Sequence, residues 1–448
     1  MAAVNRGGVA RPLRWGGVGA YVRAVLSERR RLRAAVAGLR ALWSLPGPGV
    51  VTGASDDDPS GIATYSIAGA QTGYRLLWTS VLTLPLNVGV QEMCARIGLV
   101  TGGGLATVLR RHYSRRLLLV LVALLFVANT VNIGADIAAV AAGVSLLTGL
   151  PERAIIVPVG IAIALTEIVV PYRVFANYLK VLTLVLFAYI VDAFLAGPDW
   201  GAALHATVVP QIRWNAAFIT TLVGIFGTTI SPYLFFWETS EEVEELHRRG
   251  VKPGNERELR RVQIDTNIGM LLANIVFYFI VVTTAATLYP AGIHQIATAR
   301  EAAEALRPLA GDNATTIFAL GFIGTGLLSI PVLAGSAAYA AAEVFEWREG
   351  LENKPQGAPQ FYAVIALATL LGLGIALSGV GAIRALLIAA VVNGVISPVL
   401  IAAIVVVSND ERVLGKHRNG LVSNILGVAT VGVMGLAAVA MVVMFLLG

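Results

Sequence analysis

Three consecutive carboxylates, Asp56, Asp57 and Asp58, precede Pro59, Ser60 and Gly61 in the middle of the apolar stretch 47–71. A second polar interruption, with Gly227, Thr228, Thr229, Ser231 and Pro232, lies in the middle of the stretch 216–240. Proline has no N–H, clashes with the preceding turn, and pushes the residue before it out of the α region. Each stretch should therefore split into two half-helices with open backbone between them. The donors on offer there are all oxygen: the Asp58 carboxylate, main-chain carbonyls near Gly61 and at Thr228, and the hydroxyls of Thr229 and Ser231. Oxygen donors suit hard cations such as Mg²⁺, Ca²⁺ and Mn²⁺, whereas thiolate and imidazole suit zinc, copper or iron. The single cysteine, Cys94, and five histidines in or beside polar connections argue against a soft metal site at this depth. Ser60, Gly61 and Ser231 are small. Mg²⁺ gives up water reluctantly and is commonly held by one or two carboxylates, so a roomy anionic site suits it partly hydrated.

The elements that must carry these residues follow from composition. Of 448 residues, 13% are charged and 56% hydrophobic, with mean hydropathy +0.75. Soluble domains carry about 25% charged residues, so a water-soluble globule is excluded. Apolar runs near 47–71, 77–100, 117–148, 154–171, 174–196, 216–240, 263–289, 314–345, 360–380, 383–408 and 420–447 are each about long enough to span a bilayer. They are continuous rather than alternating, which excludes a transmembrane β-barrel. The expected fold is an all-α polytopic membrane protein of eleven transmembrane helices. It has a basic leader (1–46), spans 1–5 (47–196), spans 6–10 (216–408) and an eleventh span (420–447). Breaks in spans 1 and 6, five spans apart, are the sequence mark of a five-plus-five inverted repeat with its site at the repeat interface. The break in span 6 alone reads equally well as a packing kink. A mid-span carboxylate costs about 2.5–3.5 kcal/mol to insert, so three in a row call for a function.

With the leader inside, 27 Lys and Arg fall on the cytoplasmic side and 6 on the other. The positive-inside rule then places the N-terminus in the cytoplasm and Gly448 outside. Topology and anionic lipid headgroups account for the pI of about 9.5, and nucleic acid is not an expected partner. The leader lacks the apolar core of a signal peptide. The run 241–261, rich in both charge signs, reads as a solvated helix end and loop. Glu92 and Arg96 are spaced for an ion pair within one helix, and Glu167 could pair with Arg173 or Lys180. Asn129, Asn132 and Asp136 share one face of span 3, as an ion path or a buried hydrogen-bond network; Asp265 and Asn274 on span 7 pose the same question.

The segment GPGVVTGASDDDPSGIATYSIAGAQTGYRLLWTSVLTLPLNVGVQEMCARIGLVTGGG, from Gly47, resembles the natural resistance-associated macrophage protein (Nramp) family of divalent metal transporters. The resemblance extends through ADIAA, GTTISPY, QIDTNIGMLLAN and TTIFALGFIGTG. It implies the inverted-repeat fold suspected above and a metal site at the two breaks. The family's Asp-Pro-Gly-Asn motif reads Asp58-Pro59-Ser60-Gly61 here, keeping the Asp and losing the Asn. Its Met-Pro-His motif reads Ser231-Pro232-Tyr233, with Thr228 at an Ala position that contributes a carbonyl. Its acidic pair on span 3 is reduced to Asp136, with Ala139 at the other position, and its span-10 Gln falls at Ala390. Losing the thioether removes the ligand that favours transition metals, and losing the His and one acid puts proton coupling in doubt. This pattern is similar to the bacterial Nramp-related magnesium transporters.

The expected activity is alternating-access import of hydrated Mg²⁺, and also Mn²⁺, without obligatory proton coupling, by a monomer in the bacterial inner membrane. Asp58, Gly61, Thr228, Thr229 and Ser231 would hold the ion, with Asp57, Asp136, Tyr233, Glu238 and Asn274 along its path or around the site. No cofactor or enzymatic activity is expected. The alternatives are a proton-coupled Mn²⁺ or Fe²⁺ carrier with Asp136 as proton acceptor, and a sodium-coupled carrier of small organic solutes.

Overall fold

The computed structural model describes residues 48–170, 184–351 and 353–447. The leader, Arg173, Lys180 and residues 174–183 of the fifth expected span lie outside them. All regular elements among the described residues are helical. In chain order the main helices are α1 (Pro48–Asp56), α2 (Pro59–Thr72), α3 (Trp78–Thr101), α4 (Leu105–His112), α5 (Arg115–Thr148), α6 (Glu152–Val169), α7 (Ala188–Leu195) and α8 (Trp200–Val208). They continue with α9 (Ala216–Thr229), α10 (Pro232–Arg249), α11 (Glu256–Thr287), α12 (Ala314–Phe345), α13 (Pro359–Ala376), α14 (Ala382–Asn409) and α15 (Leu421–Leu447).

Both expected breaks are present. Asp58 is the N-cap of α2, its side chain accepting from the Gly61 N–H, and Pro59 opens the helix where its missing N–H costs nothing. Pro232 opens α10 in the same way, after Ser231 as N-cap. Among the described residues, seven helical stretches are long and apolar enough to cross a membrane: α5, α9 with α10, α11, 299–345, α13, α14 and α15. The other expected spans are helical but shorter or more polar. α1 and α2 have nine and fourteen residues, α3 carries Glu92 and Arg96, α6 carries Glu152, Arg153 and Glu167, and the fifth is described only from 184.

The broken spans sit at the centre. α1 and α2 pack on α11, α10 packs on α3 and α12, and α5 lies along α12. Span 1 against span 7, and span 6 against span 2, are the reciprocal contacts that two inverted five-span repeats generate. The stretch 218–240 across α9 and α10 is almost wholly buried, whereas α15 exposes Leu421, Val422, Leu436 and Phe445 on a lipid-facing side.

Backbones approach closely where the broken helices meet their supports. A Cβ at Gly53 on α1 would fall 2.3 Å from the Gly269 carbonyl oxygen on α11. One at Gly227 on α9 would fall 2.0 Å from the Ala390 carbonyl oxygen and 2.2 Å from the Gly394 nitrogen on α14. Small residues at such crossings allow the van der Waals packing that holds membrane helices together. Gly227→Ala should therefore force α9 off α14 at a cost of about 1–3 kcal/mol. The check is the thermal unfolding midpoint in detergent, which should fall, while Gly374→Ala, facing open space on α13, should leave it unchanged or raise it slightly. Equal midpoints for the two variants would contradict the close approach.

Candidate metal site at the two helix breaks

Asp58 is 1% exposed, and neutral donors alone hold it. Its Oδ1 accepts from the Gly61 N–H at 2.9 Å and the Ser60 hydroxyl at 2.5 Å, and its Oδ2 accepts from Asn132 Nδ2 at 2.8 Å. No lysine or arginine among the described residues forms an ion pair with it. The second break reaches it through hydroxyls: Ser60 Oγ lies 2.9 Å from Thr228 Oγ1. Thr229 Oγ1 lies 3.0 Å from the Tyr65 hydroxyl on α2. Tyr233, at the start of α10, donates its hydroxyl to the Ser55 carbonyl on α1 at 2.7 Å. The structure thus brings Asp58, Thr228, Thr229 and Tyr233 together, from two chain segments some 170 residues apart.

Gly61 and Ser231 serve the site through space and through helix-end bonding rather than by pointing their own oxygens into it. Gly61 lies in the first turn of α2, where its carbonyl is directed along the helix to the residue four positions on. Its contribution is space. A Cβ there would stand 3.2 Å from the Tyr65 ring, 3.5 Å from the Asp56 carbonyl oxygen and 3.5 Å from Thr228 Oγ1. The carbonyl that faces this space is therefore that of Asp56, at the end of α1, where the last carbonyls of a helix lack intrahelical partners. The Ser231 hydroxyl is turned back as a donor to the Gly227 and Thr228 carbonyls, both at 2.8 Å. It satisfies the end of α9, and its oxygen keeps acceptor capacity for water.

Around this centre the polar groups run in two directions. On α5, Asn132 holds Asp58, Asn129 donates to the Leu333 carbonyl at 2.8 Å, and Asp136 accepts from Ser329 on α12 at 2.6 Å. All three are buried, and the Oδ1 atom of each lacks a partner, so the stripe is a hydrogen-bond network with open acceptors. On the other side, Asn87 of α3 donates to Asp56 at 3.3 Å and to the Met270 sulfur at 3.1 Å. Asp57 is buried at the break. Glu238, 0% exposed on α10, accepts from Thr52 on α1 and from Thr266 on α11 at 2.9 Å. Asn274 accepts from Thr83 at 3.4 Å at the α3–α11 contact.

Glu92 and Arg96 do not pair with each other. Arg96 donates to Asn419 at 2.6 Å, and Glu92 accepts from Gln263 at 3.0 Å. Glu167 accepts from Thr369 on α13 at 2.8 Å. The hydrogen bonds of Ser60, Tyr65 and Thr52 leave little mark in the sequence, where Ser60 counts as a small residue. The spacing of Thr52 to Asp56, four residues apart on one helix face, is the one signal that could have found Thr52.

Asp58, Ser60, Thr228, Thr229 and Ser231 are all buried, so the site is closed to both sides in this conformation. It can hold a cation through one carboxylate and a ring of hydroxyl and carbonyl oxygens, and exchange with solvent requires the half-helices to move.

Comparison with known proteins gives the fold its relatives. The family model described as natural resistance-associated macrophage protein-like matches residues 49–444. A divalent metal cation transporter MntH of Verminephrobacter eiseniae is 28% identical over 412 residues, covering 89% of this chain and 87% of that one. MntH of Yersinia pestis is 31% identical over 317 residues, covering 69% and 74%. Among solved structures, the manganese transporter of Eremococcus coleocola superposes with a TM-score of 0.71 at 19% identity, over 89% of this chain and 86% of that one. Mhp1, a nucleobase-cation-symport-1 transporter, superposes with a TM-score of 0.60 at 14% identity, over 88% and 92%. Both structural likenesses speak for the inverted-repeat fold.

The hydroxyl of Tyr233 is a tie between the two breaks that can be tested by itself. Tyr233→Phe leaves the buried Ser55 carbonyl without its donor and should cost about 1–3 kcal/mol. A lower thermal midpoint in detergent, restored by no change in metal concentration, is the expected reading.

Proposed function

This chain belongs to the natural resistance-associated macrophage protein-like family, as a multi-pass membrane transporter of divalent metal cations, and on that premise we propose that it imports hydrated Mg²⁺, and also Mn²⁺, without obligatory proton coupling. The observation that carries this reading is the setting of Asp58: a buried carboxylate held by Ser60, Gly61 and Asn132, facing only oxygen from the second break. The positions that would bring a thioether and an imidazole hold Ser231 and Tyr233 instead. Oxygen ligands suit an ion that keeps part of its water. The shell waters would donate to Asp58 and to the hydroxyls of Thr228, Thr229 and Ser231, with the Asp56 carbonyl at the rim of the space beside Gly61.

The membrane potential supports import without protons. Each elementary charge gains about 2.3 kcal/mol per 100 mV, so a divalent ion gains about 4.6 kcal/mol. The reading includes a monomer in the bacterial inner membrane with its N-terminus in the cytoplasm and its C-terminus outside. Asp136 is the observation that favours a second reading. Its carboxylate has one unpartnered oxygen, as a proton acceptor in a proton-coupled Mn²⁺ carrier would need, and the relatives include a manganese transporter.

One assay separates the two. In proteoliposomes with an internal pH dye, Mg²⁺ should enter down an imposed potential without acidifying the lumen. Acidification that follows metal entry and is lost in Asp136→Asn would establish the second reading instead. Asp58→Ala and Asp58→Asn should both abolish influx, since only the charged carboxylate offsets ion desolvation. Ser231→Met tests selectivity: a soft ligand should raise Cd²⁺ and Mn²⁺ binding relative to Mg²⁺, read by competition calorimetry. Unchanged selectivity would count against a direct role for this position.

A further inference from the structure

We infer that the pocket between the C-terminal end of α2, the start of α8 and the end of α11 binds a phosphoethanolamine group, the headgroup of a zwitterionic phospholipid. The inference goes beyond the transport reading and concerns a place apart from the helix breaks. The fourteen residues of α2, about 20 Å of helix, separate it from Asp58. The cavity measures about 400 Å³, within the size range of small-ligand pockets. Thr72, Tyr74 and Arg75 line it from the end of α2 and the turn that follows, Asp199 from the start of α8, Gln211 from the segment after α8, and Tyr289 from the segment after α11.

The pocket carries two opposite charges that do not neutralise each other. Arg75 is half-buried and forms no ion pair among the described residues; its Nη1 donates to the Thr72 carbonyl at 2.8 Å. Its guanidinium also bonds the Tyr289 hydroxyl and, with Arg213 nearby, holds that phenol below its ordinary pKa. A guanidinium has five N–H donors, so several remain for an anion. Asp199 uses one carboxylate oxygen, Oδ1, to cap α8 through the Ala202 N–H at 2.9 Å. It likewise has no cationic partner among the described residues, and the Tyr74 hydroxyl accepts from its backbone N–H. Arg75 with Tyr289 thus forms an end that suits an anion, and Asp199 with Tyr74 an end that suits a cation. Phosphate takes parallel N–H bonds from a guanidinium. A primary ammonium donates to a carboxylate and rests on an aromatic ring.

The position of the pocket favours a lipid as the source of that group. The chain bends by 119° between α7 and α8, so α8 turns aside where span 5 ends instead of continuing it. Leu204 and Val208 on α8 are 59% and 73% exposed; Trp200 opens the helix, and the exposed Trp214 follows it. Tryptophans and a helix with an exposed apolar side at the end of a span mark headgroup level. Ethanolamine phospholipids present a phosphate and an ammonium at that level. A headgroup seated here joins the end of α2 to α8 and to the segment after α11, and so acts on the half-helix that Asp58 caps at its other end.

The test uses the purified full-length protein without metal, so its failure leaves the transport reading untouched. Calorimetric titration with glycerophosphoethanolamine, against glycerophosphocholine, probes the soluble headgroup. Native mass spectrometry with dioleoyl-phosphatidylethanolamine, against dioleoyl-phosphatidylcholine, probes the lipid. The ethanolamine form should bind about tenfold tighter, since a trimethylammonium cannot donate to Asp199. Preference in both arms assigns the site to the headgroup itself, and in the lipid arm alone to a lipid whose chains contribute. Asp199→Asn, which keeps a capping oxygen for α8, should erase the preference. Arg75→Gln should weaken both headgroups about tenfold or more, since both carry the phosphate. A merely structural pair would lower the ligand-free thermal midpoint on substitution and leave the preference intact. Equal binding of the two headgroups in both arms, or a preference that survives Asp199→Asn, would overturn the site.

Discussion

A carboxylate buried among neutral donors is the constraint around which this molecule is arranged. In a low-dielectric interior a lone carboxylate costs several kcal/mol unless charge or many hydrogen bonds compensate it. Asp58 receives three donors, from a backbone N–H, a hydroxyl and an amide, and no cation from the chain among the described residues. Three neutral bonds orient the group and soften the cost without cancelling the charge. On the proposed function, the remaining negative potential is what a divalent guest would meet. An arginine in place of Asn132 would settle the energetics and end the function.

The breaks in spans 1 and 6 follow from that constraint. A continuous helix uses its carbonyls internally and has none to spare for a ligand. Splitting both central spans frees the ends of α1 and α9, and the chain then spends some of what it frees. Ser231 donates to Gly227 and Thr228, and Tyr233 donates to Ser55. What stays open is the Asp56 carbonyl and the hydroxyl rim of Thr228 and Thr229. Gly53 and Gly227 let the half-helices lie directly on the backbones of α11 and α14, so the breaks are held by packing rather than left loose.

Much of this was legible in the sequence, because prolines and carboxylates inside apolar runs are local signals. Pro59 and Pro232 marked both helix starts, and the oxygen-only donor set could be read from residue types alone. What stayed hidden depended on partners far along the chain. The Ser60–Thr228 bridge spans 168 positions and the Glu238–Thr52 bond spans 186, and hydroxyls are too common for spacing to single them out. Carbonyls near Gly61 were expected from the break, but which one faces that glycine, the Asp56 carbonyl, depends on where the Asp58 cap starts α2. The Glu92–Arg96 pair failed because i,i+4 spacing permits a contact without excluding a better one. Asn419, in the loop before α15, and Gln263, on α11, offered each charge a neutral amide.

The closed state of the site bears on how selectivity arises. If the chain discriminated by stripping the ion, the pocket would need a full set of rigid ligands, and loss of the soft and amide positions would leave it deficient. The observed set is sparse: one carboxylate, hydroxyls that already bond each other, and space beside Gly61 where a larger residue would meet Tyr65. On the proposed function, a sparse, hydroxylic pocket would discriminate by shell size instead, with waters on the ion replacing the Ser60–Thr228 and Tyr65–Thr229 bonds. Those bonds cross between the halves that must separate. Replacing them with bonds to a hydrated ion keeps every hydroxyl satisfied while the ion, rather than the protein, bridges the breaks. On that reading, occupancy and conformational freedom would be linked through the same few oxygen atoms.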